Sequence, residues 1–195
     1  DRLIENLVVE DIDTSSLLIG DRNAILIAAR ASAYGSDYEV TIRCEACSAT
    51  AEANFDLKTA RVQENCFDKE FLRENAISFN RETGTFDLSL PTSAVEVGLQ
   101  LVDGKKEKKY MDKDTGKNLV TSLLSLFLVK VDGHMDYDSV MNFIDVMPAA
   151  DSKFLRGLFP KLTPSVQLIK SHRCESCYTL KDMEVPLSAD FFWPK

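Results

Sequence analysis

Two Cys-x-x-Cys pairs, Cys44/Cys47 and Cys174/Cys177, stand towards opposite ends of a 195-residue chain, and they constrain its fold more than any other feature. Such a turn aims two sulfurs at one point, and two turns supply the four soft ligands of a tetrahedral zinc site. The turns are near copies: Ile42-Arg43-Cys44-Glu45-Ala46-Cys47 against His172-Arg173-Cys174-Glu175-Ser176-Cys177. If both hold one ion, residues 48–173 form a closed loop and the two ends of the sequence must meet. A shell of four cysteines leaves no position for water or substrate, so this zinc is expected to be structural rather than catalytic. Arg43, Arg173, Lys170 and His172 can offset the charge of about −2 that four thiolates leave around the ion.

Other chemistry is open to the same residues. Two independent redox pairs are the competing reading, but neither pair opens a helix after a strand in a βαβ unit. Iron can replace zinc in a tetrahedron of thiolates. Ser48 and Tyr178 follow the pairs, where zinc knuckles commonly carry glycine. The fifth cysteine, Cys66, has no activating neighbour and is expected in a core. An odd cysteine count and the lack of a secretory signal fit a reducing compartment, a cytoplasm.

Periodicity supplies the elements around these turns. Thr14-Ser15-Ser16 offer caps to a helix from about Leu17 to Tyr34, stopped by Gly35. Tyr38, Val40 and Ile42 alternate as a half-buried strand that delivers the first pair, and Ala51–Leu57 returns as its hairpin partner. Val166 to Ser171 alternates into the second pair, with a returning strand from Tyr178 towards Leu187. Between the pairs lies too much sequence for a loop. Asn65–Asn75 reads as a short helix; Phe86–Leu90 and Val95–Leu101 read as strands. Lys105–Lys113 reads as an exposed basic helix, whereas Leu119–Leu128 fits a helix or a strand. Two further helices are expected, one ended by Pro148 and one by Pro160 and Pro164. The expected class is α+β. Residues 1–57 and 165–195 would form a discontinuous zinc-ribbon-like domain, and 58–164 an inserted α+β region.

Composition excludes more than it identifies. Asp and Glu number 31 against 23 Lys and Arg, a net charge of −8. That disfavours nucleic-acid binding, which rests on neutralising phosphates. No apolar run approaches the roughly 20 residues a membrane helix needs. Gly116-Lys117 and the Asp112/Asp114/Gly116 spacing are partial matches to phosphate and calcium motifs that lack essential residues, and Asp114-Thr115-Gly116 resembles the start of an aspartic-protease site but lies in a charged, turn-like stretch. With only His134 and His172, no catalytic constellation is visible. Phe191-Phe192-Trp193-Pro194 is a dense aromatic group that fits either packing onto the hairpins or an anchor in a partner's pocket, with Phe191, Phe192 and Trp193 as its contact residues.

Several segments in order carry a resemblance. They are Leu18-Ile19-Gly20-Asp21-Arg22-Asn23 with the Ala-rich helix ending Tyr34-Gly35, then the first cysteine pair. Phe86-Asp87-Leu88-Ser89-Leu90-Pro91, Ala150-Asp151-Ser152, the second pair and Phe191-Phe192-Trp193-Pro194 follow. This series resembles the baseplate hub proteins of contractile-tailed, T-even-type bacteriophages. The resemblance implies a non-enzymatic structural role in the virion tail baseplate, after synthesis in the host cytoplasm. Its partners would be other hub, spike or tape-measure proteins. It equally admits an assembly chaperone that acts on the hub and is absent from the virion. A cellular zinc-ribbon module is the reading from a different class, and the acidic charge disfavours it.

Overall fold

The computed structural model describes residues 2–10, 12–111, 119–184 and 191. In chain order the first half holds α1 (Arg2–Leu7), α2 (Ile19–Tyr34), β1 (Asp37–Arg43), β2 (Thr50–Asp56), β3 (Arg61–Gln63), α3 (Lys69–Glu74), β4 (Ser78–Asn80), β5 (Thr85–Ser89) and β6 (Glu96–Leu99). The second half holds α4 (Gly104–Met111), α5 (Leu119–Phe127), β7 (Leu128–Val131), α6 (Tyr137–Val146), α7 (Ala149–Leu162), β8 (Ser165–Gln167), β9 (Ile169–Arg173) and β10 (Leu180–Glu184). The fold is α+β. Two compact units divide it: a sheet unit of Glu10–Ile19 and Glu64–Pro164, and a cysteine unit of Arg2–Val9, Gly20–Gln63 and Ser165–Lys195.

The cysteine unit carries three two-stranded antiparallel ribbons: β1 with β2, β9 with β10, and β3 with β8. Register across the first ribbon sets Tyr38 opposite Phe55, Val40 opposite Ala53 and Ile42 opposite Ala51. Alternation therefore gathers these side chains on one face. With Ile27 of α2, Leu57 and Leu168 they make this unit's core. Gly35, at φ +88°, ends α2 with its N–H on the Ala31 carbonyl, a left-handed stop that suits glycine. The single strand expected over Val166–Ser171 is instead two, β8 and β9. Leu168 between them is buried in the core, and the ribbon changes partner there from β3 to β10.

The sheet unit is built on an antiparallel meander, β4-β5-β6-β7. Helices α5, α6 and α7 bury Leu124, Phe127, Val140, Met141, Ile144, Leu155, Leu158 and Leu162 in the same core as Phe86, Leu88, Val97 and Leu99 of the strands. Cys66 lies in it too, 4% exposed. The ambiguous stretch Leu119–Leu128 proves to be a helix that runs directly into β7. Helix α7 ends between the two prolines expected to stop it, so Pro160 itself does not end it. Pro160 falls in the last turn, and the helix closes two residues later, where Thr163 donates its N–H and hydroxyl to the Phe159 carbonyl. Across the sheet Asp87, Gly98 and Lys130 lie side by side. The absent side chain at Gly98 leaves room for a 2.6 Å ion pair between Lys130 and Asp87; a Cβ there would sit 2.8 Å from the Asp87 oxygen.

One buried carboxylate ties the meander to a helix. Asp151, in the first turn of α7, is 0% exposed and accepts the N–H groups of Thr92 and Ser93, each at 2.9 Å. Those two residues form the turn between β5 and β6, which Ala94 completes with φ +56°. Burial works to raise the Asp151 carboxyl, but the Thr92 and Ser93 N–H groups outweigh it and hold the group below the ordinary carboxylate value.

Candidate metal centre

Both ribbons end in the same knuckle. In the first, Cys44 donates its N–H to the Ala49 carbonyl at 2.8 Å, and Ser48 donates back to the Cys44 carbonyl at 2.8 Å. In the second, Cys174 donates to Thr179 at 3.0 Å and Tyr178 to Cys174 at 2.9 Å. Closing each turn this tightly requires a left-handed residue after the second cysteine, and Ser48 (φ 61°) and Tyr178 (φ 59°) take that conformation. These are the two positions where the sequence departs from the usual glycine. A residue with a Cβ is strained there by roughly 1 kcal/mol or more. Ser48→Gly and Tyr178→Gly are therefore expected to raise stability by about 1 kcal/mol each and leave metal stoichiometry unchanged, read by thermal melts and elemental analysis.

The two knuckles bring Cys44, Cys47, Cys174 and Cys177 together, with all four Sγ atoms within 4.8 Å of one another. Cys44 Sγ is 3.7 Å from Cys177 Sγ, and Cys47 Sγ is 3.6 Å from Cys174 Sγ. These are not disulfides, whose sulfurs stand about 2.05 Å apart. A tetrahedron with metal–sulfur bonds of about 2.3 Å has edges of about 3.8 Å, close to both separations. The donor set and its spacing thus fit one tetrahedrally coordinated metal ion.

The sulfurs and their neighbours also shift one another's ionisation. The Thr179 hydroxyl, 3.3 Å from Cys177 Sγ, and the Thr179 N–H draw the Cys177 thiol down to about 6. The N–H groups of Cys177 and Ser176 lower Cys174. At Cys47 the Ala49 N–H also works downward, yet the Cys177 and Cys174 sulfurs beside it push the thiol up to about 12. Four sulfurs within 4.8 Å of one another cannot all ionise without a positive charge among them.

Charged and polar side chains lie beside the sulfurs, with His172 among those the sequence singled out. Glu45 of the first knuckle pairs with Lys181 of β10, joining the two ribbons. A cavity of about 290 Å³ opens beside Cys44 and Cys174, lined also by Glu45, His172, Thr179 and Lys181. His172 thus adjoins the cluster without being a member of it. Arg43 and Arg173 are exposed, and the side chain of Lys170 lies outside the described residues. Sequence reasoning missed Thr179 and Lys181. A hydroxyl two residues past the last cysteine, and a lysine set opposite His172 by the β9–β10 register, were the available signals.

The aromatic group is divided. Phe191 is 0% exposed, edge-on to Tyr38 at 5.0 Å between ring centroids, and its carbonyl accepts a 2.8 Å hydrogen bond from Arg30 Nε. That places it in the core of the cysteine unit. Phe192 and Trp193 lie outside the described residues, as do the partial motifs at 112–118. His134 is exposed in the turn after β7.

A family model described as T4 bacteriophage base plate protein matches residues 1–193. The chain belongs to that family. No curated protein and no solved structure gives a significant match. Membership of the T4 base plate family makes this a structural phage protein rather than an enzyme, one whose contacts are with other proteins of the tail baseplate. No helix among the described residues is long and apolar enough to cross a membrane. For a base plate protein the cysteine cluster is accordingly a part of the architecture, capable of holding a metal and leaving it no open coordination position.

Proposed function

We propose that this chain is a structural subunit of the baseplate hub, held together by one zinc ion on Cys44, Cys47, Cys174 and Cys177, and that it makes protein–protein contacts with hub, spike or tape-measure components during tail assembly. The observation that carries the reading is the sulfur tetrad in a member of the base plate family. The discontinuous zinc-ribbon-like domain, proposed as 1–57 with 165–195, is the clamp, and 58–164 is the inserted region that presents contact surface. Phe192 and Trp193 keep the anchor role proposed for the aromatic group, and Phe191 is a core residue of the cysteine unit.

Elemental analysis of protein purified without chelator is expected to find one zinc per chain, with Cys66→Ser unchanged because that thiol is in the core of the other unit. No zinc would overturn the clamp, and iron would replace the metal in it. Mass spectrometry of purified virions then separates the two roles. The chain is expected among the baseplate proteins. Its absence from virions, together with its presence on assembly intermediates, would make it a chaperone of hub assembly instead.

A further inference from the structure

Within the sheet unit, α7 presents a stripe to solvent that none of the described residues fills. A groove of about 480 Å³ runs along it, lined by Asn75, Lys153, Phe154, Gly157, Leu158 and Lys161, with Ala150 at one end. Gly157 is the midpoint. It is exposed, and a Cβ built there would meet nothing within 4 Å. Glycine inside a helix costs roughly 1 kcal/mol relative to alanine. Nothing among the described residues of the unit requires that cost, since none of their atoms approaches the position. The open space suits a chain from outside that comes close to the helix backbone.

Charge says what kind of chain. Lys153 and Lys161 stand four residues before and after Gly157, on the same face of the helix. Phe154 and Leu158 give an apolar floor between them, and no carboxylate is among the described residues that line the groove. A groove with cations only is conspicuous on a chain of net charge −8. We infer that the α7 groove is a docking site for an acidic, amphipathic segment of another baseplate protein, apolar residues over Gly157 and carboxylates on Lys153 and Lys161. A second copy of this chain is a different occupant, and the test separates it.

The inference rests on the baseplate role proposed above, so the experiment begins with wild type. Phage tails and their assembly intermediates are sedimented, and the wild-type chain is expected among them; if it is in neither, the baseplate role fails before the groove is reached. The assemblies are then treated with a water-soluble carbodiimide, which joins amines to carboxylates in contact. Cross-linked peptides are expected that connect Lys153 or Lys161 to an Asp or Glu of a different protein. Links only to a second copy of this chain, or none from either lysine, would overturn the proposal. Two variants give an independent readout. Lys153→Glu with Lys161→Glu, and Gly157→Leu, are each expected to cut incorporation about tenfold or more. Arg156→Glu with Lys108→Glu makes the same charge change on exposed residues that do not line the groove, and is expected to incorporate normally. Melting temperatures separate docking from folding: Gly157→Leu should melt no lower than wild type. Normal incorporation of both groove variants would sink the idea while leaving the baseplate role intact.

Discussion

Cys174→Ser is expected to strip the metal from the protein and to unfold the cysteine unit. Apparent binding free energies of about 10–16 kcal/mol are typical of structural zinc in finger peptides, at least as large as the stability of an ordinary domain. The ribbons around the site are short, and ribbons of this size are marginal by themselves. Loss of one ligand should therefore cost several kcal/mol and free the two knuckles from each other. The sheet unit keeps its own core of more than a dozen buried side chains, among them Leu155 and Leu162 at 0% exposure. Circular dichroism of the variant should retain the helical signal of α5, α6 and α7 while zinc content falls to zero. Chelator added to wild type should reproduce the effect, and metal restored should reverse it. A variant that melts like wild type would show that the four sulfurs bear no structural metal.

Asp151→Ala should destabilise the sheet unit by about 3 kcal/mol, with a fall in Tm of roughly 10 °C. The N–H groups of Thr92 and Ser93 would lose a charged acceptor together. The wild-type contribution also depends on pH, and its sign follows from the direction of the shift. The folded carboxyl titrates below its ordinary value of 3.8, so its stabilisation is complete above that value and lost as pH falls through the folded-state value. Asp151→Asn should consequently flatten the acid limb of stability against pH, measured by denaturant midpoints between neutral pH and pH 3. An unchanged acid limb would mean that Asp151 is not ionised in the native state.

What could be read from sequence was whatever leaves a periodic or spaced trace. The cysteine tetrad followed from ligand spacing, and β1 with β2 from strict alternation about Val40. The meander strands β5 and β6 followed in the same way, because a half-buried strand shows its buried face every second residue. Strand β4 was missed. Three residues, Ser78–Asn80, are too few for alternation to register, and the strand exists because Asn80 accepts the Glu82 and Thr83 N–H groups and turns the chain back onto β5. The break at Leu168 was invisible because Val166, Leu168 and Lys170 alternate without interruption; only the change of pairing partner divides them. Asp151 was noticed as part of a family motif without a reason. The reason is a contact between residues 59 positions apart, with the Leu90-Pro91 turn that another segment of the same resemblance contains. The α7 groove left no trace at all, since a glycine between two lysines in a helix reads as an ordinary solvated face.

The knuckles set a clock on synthesis. Cys174 follows Cys47 by 127 positions, and a ribosome adding about 5–20 residues per second takes roughly 6 to 25 seconds to make the intervening chain. During that interval the first knuckle has two sulfurs and no counterpart, while the core of the sheet unit can already form from residues that have emerged. The cysteine unit cannot close until its last ribbon leaves the ribosome. If the tetrad holds the proposed ion, a nascent chain carries Cys44 and Cys47 past any oxidant or competing thiol for many seconds before the other two ligands exist. Metal supply and redox state at that late moment, rather than the folding speed of the helices, would then set the yield of finished protein.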